Sequence, residues 1–72
     1  MTLVELDARL REMKVNGDSR IIIHYNDYMI DYNVETGGID IVSTQVDEWG
    51  NYKIIEWIAT VNHVKDALKI VQ

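Results

Sequence analysis

Apolar positions along the chain keep two different rhythms. Leu3, Leu6, Leu10 and Met13 recur at i, i+3, i+7 and i+10, one stripe of a 3.6-residue period, which predicts a helix over 2–16. Thr2 and Glu5 stand at capping-box spacing at its start, so that hydroxyl and carboxylate satisfy the first free amides reciprocally. Arg9, Arg11 and Lys14 crowd its second half, where positive charge suits the helix dipole. Gly17 after Asn16 ends it as a C-terminal cap.

From Arg20 the rhythm changes to short runs rich in Ile, Val and Tyr, separated by turn chemistry. A two-residue loop at Asn26-Asp27 sets Tyr25 opposite Tyr28, Ile23 opposite Ile30 and Ile21 opposite Tyr32, all on one face. Glu35-Thr36-Gly37-Gly38 then leads into 39–46, with Val34, Ile39 and Ile41 expected on that same face. A type II′ pair at Gly50-Asn51 closes the last hairpin and sets Trp49 beside Tyr52 and Glu48 beside Lys53. Val61, Val64, Leu68 and Val71 repeat the helical stripe, so 59–72 reads as a second helix with Thr60 or Asn62 as N-cap.

The order is helix, four strands, helix: one α+β domain spanning 1–72. Short turns dictate an antiparallel meander, because parallel pairing needs crossovers of about a dozen residues or more. Four strands spaced ~4.8 Å apart span roughly 19 Å, a width two helices about 10 Å apart can cover. The expectation is therefore both terminal helices packed on the face of Ile21, Ile23, Ile30, Tyr32 and Ile41. The alternative is one helix on each face. In the first arrangement the reverse carries Ile22, Met29, Val42, Val46, Ile55 and Trp57 among Asp31, Glu35, Asp40 and Thr44. That second apolar patch needs a cover. Gln45 and Glu56 fall on the core face in this register, and a bulge near Val46-Asp47 would reverse the last strands.

Size sharpens the point. Seventy-two residues bury only about 60–65% of the surface exposed when unfolded, and a core of that size rarely yields more than about 3–5 kcal/mol net. The chain has no cysteine, so neither a disulfide nor a thiolate zinc site can help. Self-association, as a homodimer, gains weight. No apolar run approaches the roughly 18–20 residues of a membrane span, and the start lacks a basic region before an apolar stretch. The expectation is a soluble cytoplasmic protein with no membrane partner.

Charge is unevenly placed. The segment 18–56 holds eight acids against Arg20 and Lys53, a balance of −6, while the whole chain carries −5. Five of the six aromatics lie there, Tyr25, Tyr28, Tyr32, Trp49 and Tyr52, and the sixth, Trp57, follows directly. So acidic a chain has too little cation to neutralise phosphates, which argues against direct nucleic-acid binding. An acidic sheet with Trp and Tyr suits a basic protein surface.

Candidate chemistry is thin. His24 and His63 lack metal-ligand spacing. Asp31-x-Asn33-x-Glu35 begins like a calcium loop, but Thr36 stands where glycine belongs and Val42 where a glutamate belongs. Ser19 and Ser43 have no nucleophile setting, and Gly37-Gly38 is too short to cradle phosphate. No catalytic residue, metal ligand or cofactor is assigned, and an enzyme is not expected.

The element order is similar to that of double-stranded RNA-binding domains. Those domains grip phosphate with lysines opening the last helix, where this chain has Ala59-Thr60-Val61-Asn62-His63. The fourth strand and acidic sheet also depart from the pattern, so the chain is not assigned to that family.

The reading is a non-enzymatic adaptor or inhibitor that docks an acidic, aromatic surface on a basic protein. Its sharper form is a small phage-type inhibitor presenting carboxylates where nucleic-acid phosphates would lie. The partner-binding set is Trp57, Trp49, Tyr52, Val42, Val46, Ile55, Asp31, Asp40, Asp47 and Glu48. The alternative is a homodimer formed through the sheet face or the edge of the first strand.

Overall fold

The computed structural model describes residues 1–72. Helix α1 (Leu3–Asn16) is followed by β1 (Ile22–Tyr25), β2 (Tyr28–Asn33), β3 (Gly38–Val46), β4 (Tyr52–Val61) and helix α2 (Val64–Val71). The strands form one antiparallel meander in the order β1-β2-β3-β4.

Local chemistry sets the front end as the sequence predicts. The Thr2 hydroxyl accepts the Glu5 amide, and the Glu5 carboxylate accepts the Thr2 amide, completing the capping box. The same contacts hold the Glu5 carboxyl below the usual carboxylate range. Gly17 adopts the left-handed conformation (φ 62°) and donates its amide to the Met13 carbonyl, a conformation that glycine takes with no Cβ penalty. The hairpin β1–β2 turns at Asn26-Asp27 and pairs Tyr25 with Tyr28 and Ile23 with Ile30.

Both helices lie on one face. Leu6, Leu10 and Met13 of α1 and Ala67 and Val71 of α2 join Ile23, Ile30, Ile39 and Ile41 of the sheet in one buried cluster. Ile23, Ile30 and Ile41 are consecutive ladder partners, so a single row of isoleucines crosses three strands under the helices. Tyr25, Tyr28 and Tyr32 flank it, half-buried. The helices also pack against each other. Two polar clamps fix them: Lys14 Nζ donates to the Asn62 carbonyl, and Asn26 Nδ2 donates to the Val71 carbonyl at 3.3 Å. The first ties α1 to the chain just before α2, and the second ties the end of α2 to the β1–β2 turn.

Four expectations are corrected. Residues 59–61 are not helical: β4 continues through them, with Thr60 opposite Asp40 and Val61 opposite Ile39. Cross-strand pairing beats the helical stripe there, and α2 starts only at Val64, with His63 as an N-cap that makes no side-chain bond. Val34 lies in the β2–β3 loop and is exposed, because Asn33 Oδ1 accepts the Glu35 and Thr36 amides and bends the chain out of the strand. The last hairpin is not a two-residue turn. Val46 pairs with Tyr52, and Asp47–Asn51 bridges them as a five-residue loop, in which the Gly50 amide donates to the Asp47 carbonyl at 3.1 Å and Gly50 is in the left-handed region (φ 82°). The irregularities in register fall opposite Ile41/Val42 and Ser43/Thr44, not near Val46-Asp47.

Ile30 sits at the centre of the buried row with no exposure, so Ile30→Ala is expected to cost about 2–5 kcal/mol. That matches the roughly 3–5 kcal/mol available to a core of this size, and the variant should be largely unfolded by circular dichroism at 25 °C. Thr2→Ala, which removes the cap, should cost about 1 kcal/mol and stay folded.

Candidate protein-binding face

With both helices on one side, no helix covers the other side of the sheet. Strand alternation sorts its side chains into rows. Ile22, Asp31, Asp40 and Thr60 form one row across all four strands, and His24, Met29, Val42 and Trp57 form the next. Trp57 is 62% exposed and Ile54 58%, with Ile22, Val46 and Tyr52 close behind. So much apolar surface on one face of a small domain makes that face the candidate site for an interaction.

The face is curved. Two register shifts leave Ile58 and Ile55 as extra residues in β4 between the flanking ladder pairs, and such bulges bend a strand and sharpen its twist. Across three strand spacings β1 and β4 would stand roughly 14 Å apart. Yet the His24 and Tyr52 rings stack with centroids 4.2 Å apart and planes 20° from parallel. The far end of the β3–β4 hairpin therefore folds over the open face and touches β1. Thr44, which alternation places on this face, keeps only 6% exposure, and its amide donates to the Asp27 carbonyl at 2.7 Å.

Two carboxylates stand on this face. Asp31 and Asp40 are direct cross-strand partners, an arrangement that is destabilising for like charges. Asp40 is partly relieved, since its Oδ1 accepts the Thr60 hydroxyl and, at 3.4 Å, the Asn33 side-chain amide. Asp31 has no side-chain donor and no cation; the ion pairs of the chain are Arg11–Asp7 and Arg20–Asp18. Burial, then the Asp40 charge, pushes the Asp31 carboxyl above the ordinary aspartate range.

The residues named from the sequence separate into two groups. Asp31, Asp40, Val42 and Trp57 share the open face. Val46, Asp47, Glu48, Trp49 and Tyr52 belong to the far hairpin. Trp49 is at its tip, 78% exposed, and does not face Tyr52, nor does Glu48 face Lys53. Asp47 Oδ1 accepts the Trp49 and Asn51 amides, each at 2.9 Å, so this carboxylate closes the loop. Lys53 is opposite Gln45. Ile55 occupies a bulge, and Ile54 takes the ladder position opposite Thr44. Ile54, Thr60 and Asn33 were missed. Only the bulges bring Ile54 opposite Thr44, and pattern alone does not reveal a bulge.

Other chemistry is sparse. No group of three or more His, Asp or Glu side chains is gathered in a metal-binding arrangement. A shallow depression lies on the far hairpin among Gln45, Val46, Asp47, Glu48 and Lys53, all exposed. No helix is long and apolar enough to cross a membrane.

Asp31 gives a prediction with a definite sign. A carboxyl whose value is raised in the fold binds its proton more tightly folded than unfolded. Stability is thus fullest below the ordinary aspartate range, falls as pH rises through the raised value, and stays reduced at neutral pH. Asp31→Asn should therefore raise the melting temperature at pH 7, and the gain should vanish on acidification below the ordinary aspartate range. Thermal melts of both proteins across pH check this.

Compared with protein-family models, curated proteins and solved structures, the chain matches none.

Proposed function

We propose that this chain is a small non-enzymatic interaction domain, an adaptor or inhibitor, that docks on a basic protein surface through the open face of its sheet. The observation that carries the reading is Trp57, exposed on a face from which both helices are absent. Trp and Tyr anchors inside a polar rim are the usual centres of protein interfaces. The charge of −5 would steer a cationic partner and make association fall with salt. In the sharper form of this reading, the carboxylates stand where phosphates of a nucleic acid would lie, and the partner is a nucleic-acid-binding enzyme.

A second reading is self-association, through the same face or the β1 edge. The nine-residue apolar core favours it, since a domain this small gains most from burying more surface.

Selection of a random displayed-peptide library on the folded chain tests the docking reading. The wild type should enrich peptides that combine basic with apolar or aromatic residues. Trp57→Asp should lose that enrichment while costing no more than about 1 kcal/mol in stability, as expected for an exposed strand position. Enrichment that ignores this substitution, or none with the wild type, would contradict the reading.

A further inference from the structure

We infer that the open face receives an arginine-bearing apolar segment of a partner protein, its guanidinium seated on the Asp31–Asp40 pair and its flanking side chains on Ile22, Met29, Val42 and Trp57. This rests on the docking reading above and names the chemistry of the occupant.

Charge complementarity selects that occupant. Asp31 and Asp40 are the only acids at ladder positions of this face, and no lysine or arginine occupies one. The Thr60 and Asn33 donors both go to Asp40 Oδ1. Asp40 Oδ2 and both Asp31 oxygens are left without a side-chain donor. Apart from the Asp31 backbone amide, which reaches its own carboxylate, no protein donor meets these acceptors on adjacent strands, beside the exposed Ile22 and the Met29–Val42–Trp57 row. A guanidinium offers five N–H donors in a planar fork and is more weakly hydrated than an ammonium, so it suits carboxylates set in apolar surroundings. Its plane can also lie against an indole.

The same facts disfavour the other occupants. A second copy laid face to face would bring four carboxylates together with no cation to separate them, on chains of −5 each. A nucleic acid would add phosphates to the same unrelieved charge. An uncharged apolar segment would bury the Asp31 carboxylate further without pairing it, which carries the full cost of a desolvated charge. The raised Asp31 carboxyl is consistent with that unrelieved cost.

The test uses the full chain, isotope-labelled for NMR, titrated with acetyl-Leu-Trp-Arg-Leu-Val-amide and with its citrulline twin, which keeps the shape and loses the charge. The arginine peptide should move the amide signals of Asp31 and Asp40 and the indole signal of Trp57. It should bind roughly tenfold more tightly than the twin, the size of one charge-assisted contact. In the Asp31→Asn/Asp40→Asn double variant, which removes a like-charge pair and should fold well, the two peptides should bind alike. Equal binding of both peptides to the wild type would overturn the arginine seat and leave the docking face standing. No shift with either peptide would overturn both. A dimer in sedimentation that masks Trp57 would overturn the inference in favour of a second copy.

Discussion

The structure depends on one row of isoleucines. Ile23, Ile30 and Ile41, with Ile39 beside them, are wholly or almost wholly removed from water, and the helices that lie over them come from the two ends of the chain. A sheet face of this kind is stable only under a cover. Leu6, Leu10 and Met13 of α1 and Ala67 and Val71 of α2 are its fully buried part, with Val64, Leu68 and Ile70 packed beside them. Neither helix makes the core alone. The chain has no third helix, so with both on one face the other has only the far end of the β3–β4 hairpin over it. The open face follows from the closed one.

What the open face looks like then follows from β4. Its two extra residues bend the strand, the far hairpin folds over, and Tyr52 comes to rest on His24. The result is a curved apolar surface with an acidic pair in one row and an indole in the next. The like charges at Asp31 and Asp40 are costly in the free protein, while most other acids are exposed or tied up in local bonds. Asp7 and Asp18 meet arginines, Glu5 caps a helix, and Asp47 closes a turn. Asp31 has no such employment. The exposed apolar side chains and the unrelieved charge on this surface add nothing to the stability of the free domain, which is why we propose it as the docking face.

Much of the fold was legible because its signals are local. The capping box, Gly17, the Asn26-Asp27 turn and the isoleucine spacing each act over a few residues, and together they determine the meander and the face the helices cover. The illegible parts were those decided at a distance. Residues 59–61 fit a helical stripe, but pairing with Ile39 and Asp40 holds them in β4. The Asp47 carboxylate, not the glycine-asparagine pair, defines the last turn, and that moved Trp49 away from Tyr52. Of the site, Trp57, Val42, Asp31 and Asp40 were readable from alternation. Ile54 and the His24–Tyr52 contact were not, since both arise from bulges and twist that leave no periodic trace.

The most direct measurement is a set of nuclear Overhauser contacts from the helix methyls in the monomeric protein. The account predicts contacts from Leu6, Leu10, Ala67 and Val71 to the row of Ile23, Ile30 and Ile41, with none from either helix to Val42 or the Trp57 indole. Contacts between the α1 or α2 methyls and that indole would place a helix on the face described as open, and would contradict the account at its base.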